Sequence, residues 1–179
     1  GYRGFIGSRM FEELKKEHEV YGYDLVEGND IRDKFKLAKL FDTENFDCVI
    51  NLAARAGVRM SEDFPEEYIT TNLIGLQNLI SLSEKCGIKK FIHYSSSSVF
   101  DSLPGHASKE SDSKNPISVY AVTKLAGECL VKKSKLNYTI IRPFTVIGEN
   151  GRKEMALYKW INQVKSGRPI TFFGDGTTS

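Results

Sequence analysis

The sequence predicts an α/β fold with a doubly wound parallel sheet. Segments with strand and helix patterns alternate along its 179 residues at the intervals typical of β-α-β units. Hydrophobic residues make up 40% and charged residues 27%, which is normal for a globular domain and excludes a disordered or coiled-coil chain. In such sheets ligands bind at the carboxyl ends of the strands, so the residues that follow each strand are the candidates for function.

The amino-terminal part contains two helix patterns and two strand patterns. Residues 7–17 carry apolar side chains at helical spacing, and residues 18–24 alternate with the period of two that predicts a short strand. A second helix is predicted over 33–42. The compact apolar run at 48–53 is typical of a strand buried in a parallel sheet.

The same alternation continues along the rest of the chain. A long helix is predicted over 66–86, where Gly87 ends it, and a strand over 90–95 follows. The last predicted elements are a helix over 116–134, a strand over 137–142, a helix over 153–166 and a strand over 170–173.

Charge and cysteine content exclude several classes of protein. Lys and Arg total 25 against 23 Asp and Glu, so no general electrostatic footprint predicts binding to nucleic acid or a membrane surface. No apolar run reaches the ~20 residues of a membrane span. The three cysteines, Cys48, Cys86 and Cys129, are far apart, which favours buried free thiols over a disulfide framework or a metal site. The chain starts on a glycine and ends in a loop-like sequence, and we expect it to be a fragment of a longer protein.

A glycine pattern at the head of the first helix predicts a dinucleotide site. Gly1, Gly4 and Gly7 form G-x-x-G-x-x-G, which allows a tight turn and brings backbone N–H groups close to a pyrophosphate. Asp24 ends the next predicted strand, where a carboxylate accepts both ribose hydroxyls and repels a 2′-phosphate. This position therefore favours NAD over NADP, although a strand-end turn residue is the alternative interpretation.

A tyrosine and a lysine stand one helical turn apart in the predicted helix 116–134. Tyr120 and Lys124 form Y-x-x-x-K, and the i, i+4 spacing puts both side chains on one face. A nearby lysine favours the phenolate, which makes Tyr120 a usable base. The serine run 95–98 directly follows a strand and supplies hydroxyls for a substrate oxygen. Each feature alone also fits an ordinary helix or loop, and their order along the chain is what gives them specificity.

With these residues the chain resembles the extended short-chain dehydrogenase/reductases, specifically the NAD-dependent nucleotide-sugar epimerase/dehydratase group. The resemblance covers essentially the whole chain, with Asn51 and Phe100 replacing a histidine and a tyrosine of the family pattern. The segments that carry it are residues 1–7, 30–33, 51–54, 94–100, the Tyr120–Lys124 pair and residues 173–176.

The resemblance implies a Rossmann-type fold, truncated at both ends, and two functional parts along the chain. Residues 1–142 would form the NAD-binding domain, with the family's first strand missing, and residues 143–179 the start of the substrate-binding part. Ser96, Tyr120 and Lys124 are implied as catalytic residues. The implied contacts to NAD are Gly1, Gly4, Phe5, Ile6, Gly7, Asp24, Asp30, Ile31, Leu52, Ala53, Ala54, Asn72, Tyr120, Lys124 and Pro143.

Two further stretches narrow the resemblance. Residues 53–61 and 142–156 are similar to those of the UDP-glucuronate 4-epimerases, with Pro143 and Ile147 in place of aromatics. The family's dehydratases and decarboxylases carry an acid just after the catalytic hydroxyl residue, whereas this chain has Ser97 and Ser98. The implied substrate-binding residues are Arg59, Ser97, Thr145 and Arg152, the last three around a sugar carboxylate.

The sequence hypothesis is therefore a cytoplasmic, homodimeric, NAD-dependent nucleotide-sugar 4-epimerase without a metal. Its substrate would be a UDP-sugar, either UDP-glucuronate/UDP-galacturonate or UDP-glucose/UDP-galactose, and it would act through a 4-keto intermediate. A dehydratase or reductase of the same family is the first alternative. A catalytically silent NAD-binding regulator is the second, and an intact set of Ser96, Tyr120 and Lys124 argues against it.

Overall fold

A three-stranded parallel sheet organises the part of the chain that the computed structural model describes, residues 1–100, 107–149, 151, 153 and 155–171. The strands are β1 (Cys48–Asn51), β2 (Lys90–Tyr94) and β3 (Tyr138–Ile141), in the order β1-β2-β3. In register, Asn51 lies opposite His93 and His93 opposite Ile140, so the carboxyl ends of all three strands meet at one edge. The predicted parallel sheet is confirmed.

The described helices follow the predicted order, with shifted ends. The predicted 66–86 helix runs without a break through α4 (Pro65–Ile69), a π-helical stretch at Thr70–Gly75, and α5 (Leu76–Lys85). The sequence did not predict α3 (Val58–Asp63) or the two short 3₁₀ helices at Leu25–Glu27 and Ser97–Val99. The α-helices are α1 (Phe5–Leu14), α2 (Lys34–Thr43), α3 (Val58–Asp63), α4 (Pro65–Ile69), α5 (Leu76–Lys85), α6 (Val119–Lys133) and α7 (Ala156–Lys165).

The main core forms where α2, α5 and α6 cover the middle strand. Phe91 of β2 and Val131 of α6 have no exposed surface, and Leu37 and Leu76 are 1% exposed. Burying apolar side chains of this size contributes roughly 1.5–3 kcal/mol each. This packing fixes α6 against β2, so it also fixes the side chains that α6 carries to the sheet edge.

The predicted strand at 18–24 is wrong as a hydrogen-bonded strand. Residues 19–24 have no strand assignment, although Asp24 keeps an extended backbone. A strand needs a neighbour for its N–H and C=O groups, and no strand among the described residues pairs with this segment. A groove of about 520 Å³ is lined by this segment together with β1 and α1.

The described residues fall into two compact units. The first unit consists of the described residues within Gly1–Asp101 and Ser108–Phe144. The second unit consists of the described residues within Ser102–Ala107 and Thr145–Ser179. The predicted last strand, 170–173, is not formed at residues 170 and 171, and the rest of it lies outside the described residues. Among the residues with described positions, no helix has the length and apolar composition to cross a bilayer. No metal-binding group of three or more His, Cys, Asp or Glu side chains occurs in this same part of the chain.

The prediction that the three cysteines are buried is wrong. Cys48, Cys86 and Cys129 are free, as expected, but all three are exposed. Cys48 begins β1, one of the two outer strands of the described sheet, and the end of an outer strand carries less cover than the middle of β2. The thiols lie in different elements, and nothing in their placement suggests a shared role.

Candidate active site

The glycine turn at the start of the chain packs directly against the segment that follows β1. A Cβ atom on Gly1 would lie 2.6 Å from the Ala53 nitrogen, and one on Gly7 would lie 2.3 Å from the Gly1 carbonyl oxygen. The Gly4 N–H closes the turn on that same oxygen at 3.2 Å. Only glycine allows this close approach, so the turn and residues 52–54 form one surface.

The amino terminus of α1 has an uncapped first turn. Gly4 is its N-cap residue, and no described side chain accepts a hydrogen bond from the first N–H groups of the helix. Such groups lack partners within the helix and favour an anionic acceptor. The geometry of the turn is therefore that of an anion-binding helix terminus.

Asp24 connects this turn to the extended segment that follows α1. Its Oδ2 accepts the Arg3 backbone N–H at 2.9 Å, and its Oδ1 accepts the Val26 N–H at 3.0 Å. Burial opposes ionisation of this 8% exposed residue, but these two hydrogen bonds hold the pKa of Asp24 below its ordinary value. Asp24 is thus an ionised acceptor beside the glycine turn.

Asp30 and Ile31 lie in the turn before α2, and their side chains already have partners. The Asp30 carboxylate binds the Arg32 guanidinium at 2.6–3.0 Å, which lowers the pKa of Asp30. Ile31 is 6% exposed, and it packs so tightly on Gly75 that a Cβ on that glycine would lie 2.5 Å from Ile31 Cδ1. Its side chain belongs to the core, so this turn has only its backbone free for a ligand.

Two buried amides hold the loop after β1. Asn51, which replaces the family histidine, accepts the Ala53 N–H through Oδ1 at 3.1 Å, and its Nδ2 lies 3.3 Å from His93 Nδ1. Burial lowers the pKa of His93 to about 3, so this imidazole stays neutral and serves packing rather than proton transfer.

Asn72 lies in the π-helical stretch and joins three parts of the site. Its Oδ1 accepts the Arg55 N–H at 2.7 Å, and its Nδ2 donates to the Arg55 carbonyl at 3.1 Å and to the Thr123 hydroxyl at 3.0 Å. Thr123 directly precedes Lys124 on α6. The amide therefore fixes the loop after β1 relative to the helix that carries the tyrosine and lysine.

The start of α6 is capped by three side chains from two elements. Glu62 accepts the Val119 N–H at 3.0 Å, Ser61 accepts the Tyr120 N–H at 3.0 Å, and Ser118 accepts the Ala121 N–H at 3.1 Å. Side-chain caps of this kind satisfy N–H groups that a helix cannot satisfy itself. They hold the half-buried Tyr120 in place. Every N–H group in the first turn of α6 therefore has an acceptor, in contrast to the first turn of α1.

Lys124 is buried one turn after Tyr120. It is 5% exposed, and its Nζ donates a hydrogen bond to the carbonyl oxygen of Tyr94, the last residue of β2. Burial lowers the pKa of Lys124 to about 8, while the negative charge of Glu128 opposes that change. The ammonium group is therefore held at the sheet edge, two residues before Ser96.

The serine run forms a tight 3₁₀ turn rather than an open loop. The Ser96 Oγ accepts the Ser98 N–H at 3.2 Å and the Ser98 hydroxyl at 2.9 Å, which aligns it as the cap of the turn. The backbone on either side is held as well, because the Ser95 N–H donates to Ile141 and the Ser97 N–H donates to Pro143. Ser96 thus stands at the edge of the sheet where Lys124 reaches β2.

A buried ion pair that the sequence analysis missed lies next to these residues. Glu128 has no exposed surface, and both of its oxygens bind Arg142, through Nε and a terminal nitrogen, at 2.6 Å. The Ser95 hydroxyl donates to the same carboxylate at 2.7 Å. Burial would raise the pKa of Glu128, but the hydrogen bonds from Arg142 and Ser95 hold it at about 2. The i, i+4 spacing from Lys124 to Glu128 was the available sequence signal.

The four predicted substrate residues lie in different parts of the chain. Ser97 lies in the 3₁₀ turn, and Arg59 is exposed on α3. Thr145 is exposed in the second unit, and Arg152 lies outside the described residues. Their role stays a prediction. The glycine turn, Asp24, residues 52–54, Asn72, Ser96, Tyr120 and Lys124 all belong to the first unit.

Comparison with known proteins identifies the class to which this fold and site belong. The family model for the NAD dependent epimerase/dehydratase family matches residues 1–179, and the chain belongs to this family. A UDP-glucuronate 4-epimerase of Thermodesulfobacterium geofontis is 37% identical over 171 residues, covering 92% of this chain and 51% of the relative. UDP-glucuronate 4-epimerase 1 of Arabidopsis thaliana is 38% identical over 206 residues, covering 97% of this chain and 47% of the relative.

A solved structure agrees with these relatives. UDP-glucuronic acid 4-epimerase from Bacillus cereus, in complex with UDP-glucuronic acid and NAD, superposes with a TM-score of 0.80 at 34% identity, covering 97% of this chain and 64% of that chain. The predicted Rossmann-type fold is confirmed. The chain spans about half to two thirds of the length of these three relatives.

Proposed function

We propose that the chain forms the NAD-binding and catalytic part of a UDP-sugar 4-epimerase. The observation that carries the proposal is the placement of Lys124, buried one turn after Tyr120 on a fully capped helix, with its ammonium group on β2 two residues before Ser96. A base, a cation and a hydroxyl at one edge of a parallel sheet suit proton transfer to and from a sugar hydroxyl. Relatives named UDP-glucuronate 4-epimerase support the same reading.

The residues of the first unit fit NAD. A Cβ on Gly1 or Gly7 would collide with backbone atoms, and one on Gly4 would lie 3.3 Å from the Gly1 carbonyl oxygen. The uncapped start of α1 offers its N–H groups to a pyrophosphate. The ionised Asp24 beside them suits two ribose hydroxyls and disfavours a 2′-phosphate. Residues 52–54 and Asn72, packed against the turn and α6, would line the path toward the nicotinamide, with Pro143 after β3.

The chemistry follows from the chain's own side chains. NAD, when bound, supplies the acceptor and donor of the hydride. Tyr120 takes the proton of the sugar 4-hydroxyl as the 4-keto sugar forms, and returns it when the sugar is reduced on its other face. Lys124 stabilises the phenolate by its charge, because an opposite charge favours the ionised form. Ser96 donates a hydrogen bond to the reacting oxygen.

We propose a uronic acid as the sugar. Ser97, Thr145 and Arg152, which the resemblance places around the sugar carboxylate, offer two hydroxyl donors and one charged donor, and a carboxylate enclosed in a site needs such partners. UDP-glucose, which has a hydroxymethyl group at that position, would leave the guanidinium without its anion. Arg59, exposed on α3, is the further residue proposed to contact the substrate.

A dehydratase or reductase of the same family is the second candidate. The observation against a dehydratase is that Ser97 and Ser98 occupy the 3₁₀ turn after Ser96, where an acid would be needed to remove a second proton. A silent NAD-binding regulator would have no use for the buried Lys124 beside Tyr120, since holding an ammonium group out of water costs stability.

The test is product analysis with the gene product that contains these 179 residues. It is incubated with NAD and, separately, UDP-glucuronate and UDP-glucose, and the sugars are read by NMR. An isomer at C4 with no net gain of NADH supports the proposal. A 4-keto-6-deoxy sugar identifies a dehydratase, net oxidation or reduction identifies a reductase, and an unchanged panel in a protein that binds NAD favours the regulator.

We also propose a domain division and an assembly. Residues 1–142 would bind NAD, and residues 143–179 would begin the substrate-binding part. A cytoplasmic location is proposed from the family resemblance. A homodimer is proposed because Ile69 of α4, Ile74 of the adjoining π-helical stretch and Val122 of α6 stay 45–54% exposed on helices that contact one another. Sedimentation equilibrium of the gene product and of the variant V122D tests the dimer, which the charged side chain should weaken.

A further inference from the structure

Glu128 is the one fully buried carboxylate among the described residues, and the chemistry above does not use it. It stands one turn after Lys124 on α6, on the same face of the helix. Its oxygens accept hydrogen bonds from Arg142 at the end of β3 and from Ser95 after β2. One side chain thus joins the three elements that meet at the candidate active site.

The backbone around Ser96 depends on this carboxylate. The Ser95 hydroxyl is held by Glu128 at 2.7 Å, and the Ser95 N–H donates to the Ile141 carbonyl at 2.7 Å. On the other side, the Ser97 N–H donates to the Pro143 carbonyl at 3.0 Å. Arg142, which Glu128 fixes in a bidentate pair, lies between Ile141 and Pro143. Ser96 is therefore aligned by contacts that converge on Glu128.

The charge of Glu128 also bears on Lys124. Lys124 interacts electrostatically with Glu128 of α6 and His93 of β2, and its ammonium donates to the backbone carbonyl of Tyr94. The other titratable or charged groups on the elements packed there are Tyr120 and Lys132 of α6, the Tyr94 phenol of β2, and Arg142 directly after β3. Glu128 is the single carboxylate among them, and burial keeps His93 neutral. Lys132 is 46% exposed and contacts Glu128 at 3.3 Å.

We propose that Glu128 is a positioning residue of the proposed epimerase: it aligns Ser96 through Ser95 and Arg142, and it places a buried negative charge one helical turn from Lys124. The proposal rests on the proposed function for its effect on turnover. Its effect on Lys124 stands independently of the reaction. Burial lowers the pKa of Lys124 to about 8 even though the charge of Glu128 opposes this change, so losing that charge should lower the pKa further.

The test replaces the charge and keeps the shape. In E128Q we expect the midpoint of the Lys124 titration, followed by NMR of its ¹³Cε and assigned with K124M, to fall by about one pH unit. The matched control is E84Q, the same exchange at the exposed Glu84. The Glu84 carboxylate accepts a hydrogen bond from the Lys135 N–H, shortly before β3 begins. E84Q is expected to leave the midpoint unchanged, and E128D, which keeps the charge, is expected to restore it.

Turnover supplies the second measurement. In E128Q, kcat should fall roughly ten-fold, the expected scale for a slight misplacement of reacting groups, while the KM for the UDP-sugar changes far less. The decline of kcat at high pH should begin at a lower pH than in the wild type. Inactive wild-type protein would refute the proposed function, and the NMR titration would still decide the role of Glu128.

A wild-type midpoint in E128Q overturns the proposal, as does a shift in E128Q that E128D does not reverse, which would mark a packing effect. If E128Q does not fold, the charge-free pair E128Q/R142Q replaces it, since a neutral pair avoids leaving Arg142 buried without its anion. In that variant the midpoint should still fall, because Glu128, and not Arg142, is the charge that acts on Lys124. An unchanged midpoint there overturns the proposal too.

Discussion

The Arg3 backbone N–H donates a 2.9 Å hydrogen bond to Asp24 Oδ2, so the glycine turn and the proposed ribose acceptor form one unit. We expect the gene product to bind NAD more tightly than NADP because an ionised Asp24 repels a 2′-phosphate. D24A should weaken NAD binding by about 1–3 kcal/mol, the scale for losing a charged acceptor. Isothermal titration with both cofactors checks this, and equal wild-type affinities would contradict it.

Gly7 is expected to be intolerant of any side chain. Its Cβ would lie 2.3 Å from the Gly1 carbonyl oxygen, so G7A must distort the turn and should abolish detectable NAD binding. The control is G87A, at a left-handed glycine (φ 67°) with nothing within 4 Å of the added Cβ. G87A should cost about 1 kcal/mol of stability and leave NAD affinity as it is. Normal NAD binding by G7A would count against the turn as the pyrophosphate site.

Tyr120 is expected to act in proton transfer and not in holding the cofactor. Y120F keeps the ring that packs edge-on to Tyr68, with centroids 6.3 Å apart, so the fold and NAD binding should persist. Turnover should fall by ~10²–10⁴, the usual contribution of a general base. Rates are measured by NMR with NAD binding as the control. Near-normal turnover in Y120F would reject the assignment.

Activity should decline above about pH 8. The pKa of Lys124 is about 8 in the folded protein, so its positive charge is present below that pH and lost above it. The phenolate of Tyr120 then loses its stabilising cation, and kcat falls. A pH profile of kcat from 6 to 10 measures this, and a rate that is flat up to pH 10 would be inconsistent with a role for the Lys124 charge.

Acid should remove the stabilisation that Glu128 provides. Its pKa is about 2 in the folded protein against 4.5 ordinarily, so its contribution is complete above pH 4.5 and is lost as pH falls from 4.5 to 2. Two and a half pKa units correspond to roughly 3 kcal/mol. Urea unfolding of wild type and E128Q at pH 6 and pH 3 compares them. The gap in free energy of unfolding between the two should shrink at pH 3.

The uronate proposal concerns a residue outside the described ones, Arg152. R152A should lower kcat/KM for UDP-glucuronate more than for UDP-glucose, because only the acid substrate loses an ionic partner. R9A, which removes an exposed arginine paired with Glu13 on α1, is the control and should change neither value. An unchanged ratio between the two substrates in R152A would exclude the carboxylate role.

The sequence alone determined the class of fold and the identity of the candidate residues. Strand and helix periods reflect local burial, and the glycine turn, Asp24 and the Tyr120–Lys124 spacing are local patterns, so they could be read without coordinates. The periods could not show that residues 19–24 lack a strand neighbour among the described residues, since pairing depends on what lies beside a segment. The exposure of the three cysteines likewise depends on distant cover.

Only the tertiary structure decided which groups hold the site together. Ser61 and Glu62 cap α6 from 57–59 residues away, and Asn72 reaches Thr123 across 51 residues. The Glu128–Arg142 pair depends on α6 and β3 packing side by side. Contacts between residues far apart in the chain leave no periodic pattern, because nothing local constrains either partner. The sequence therefore determined which residues carry the proposed chemistry, and the packing of distant segments decided how they are held.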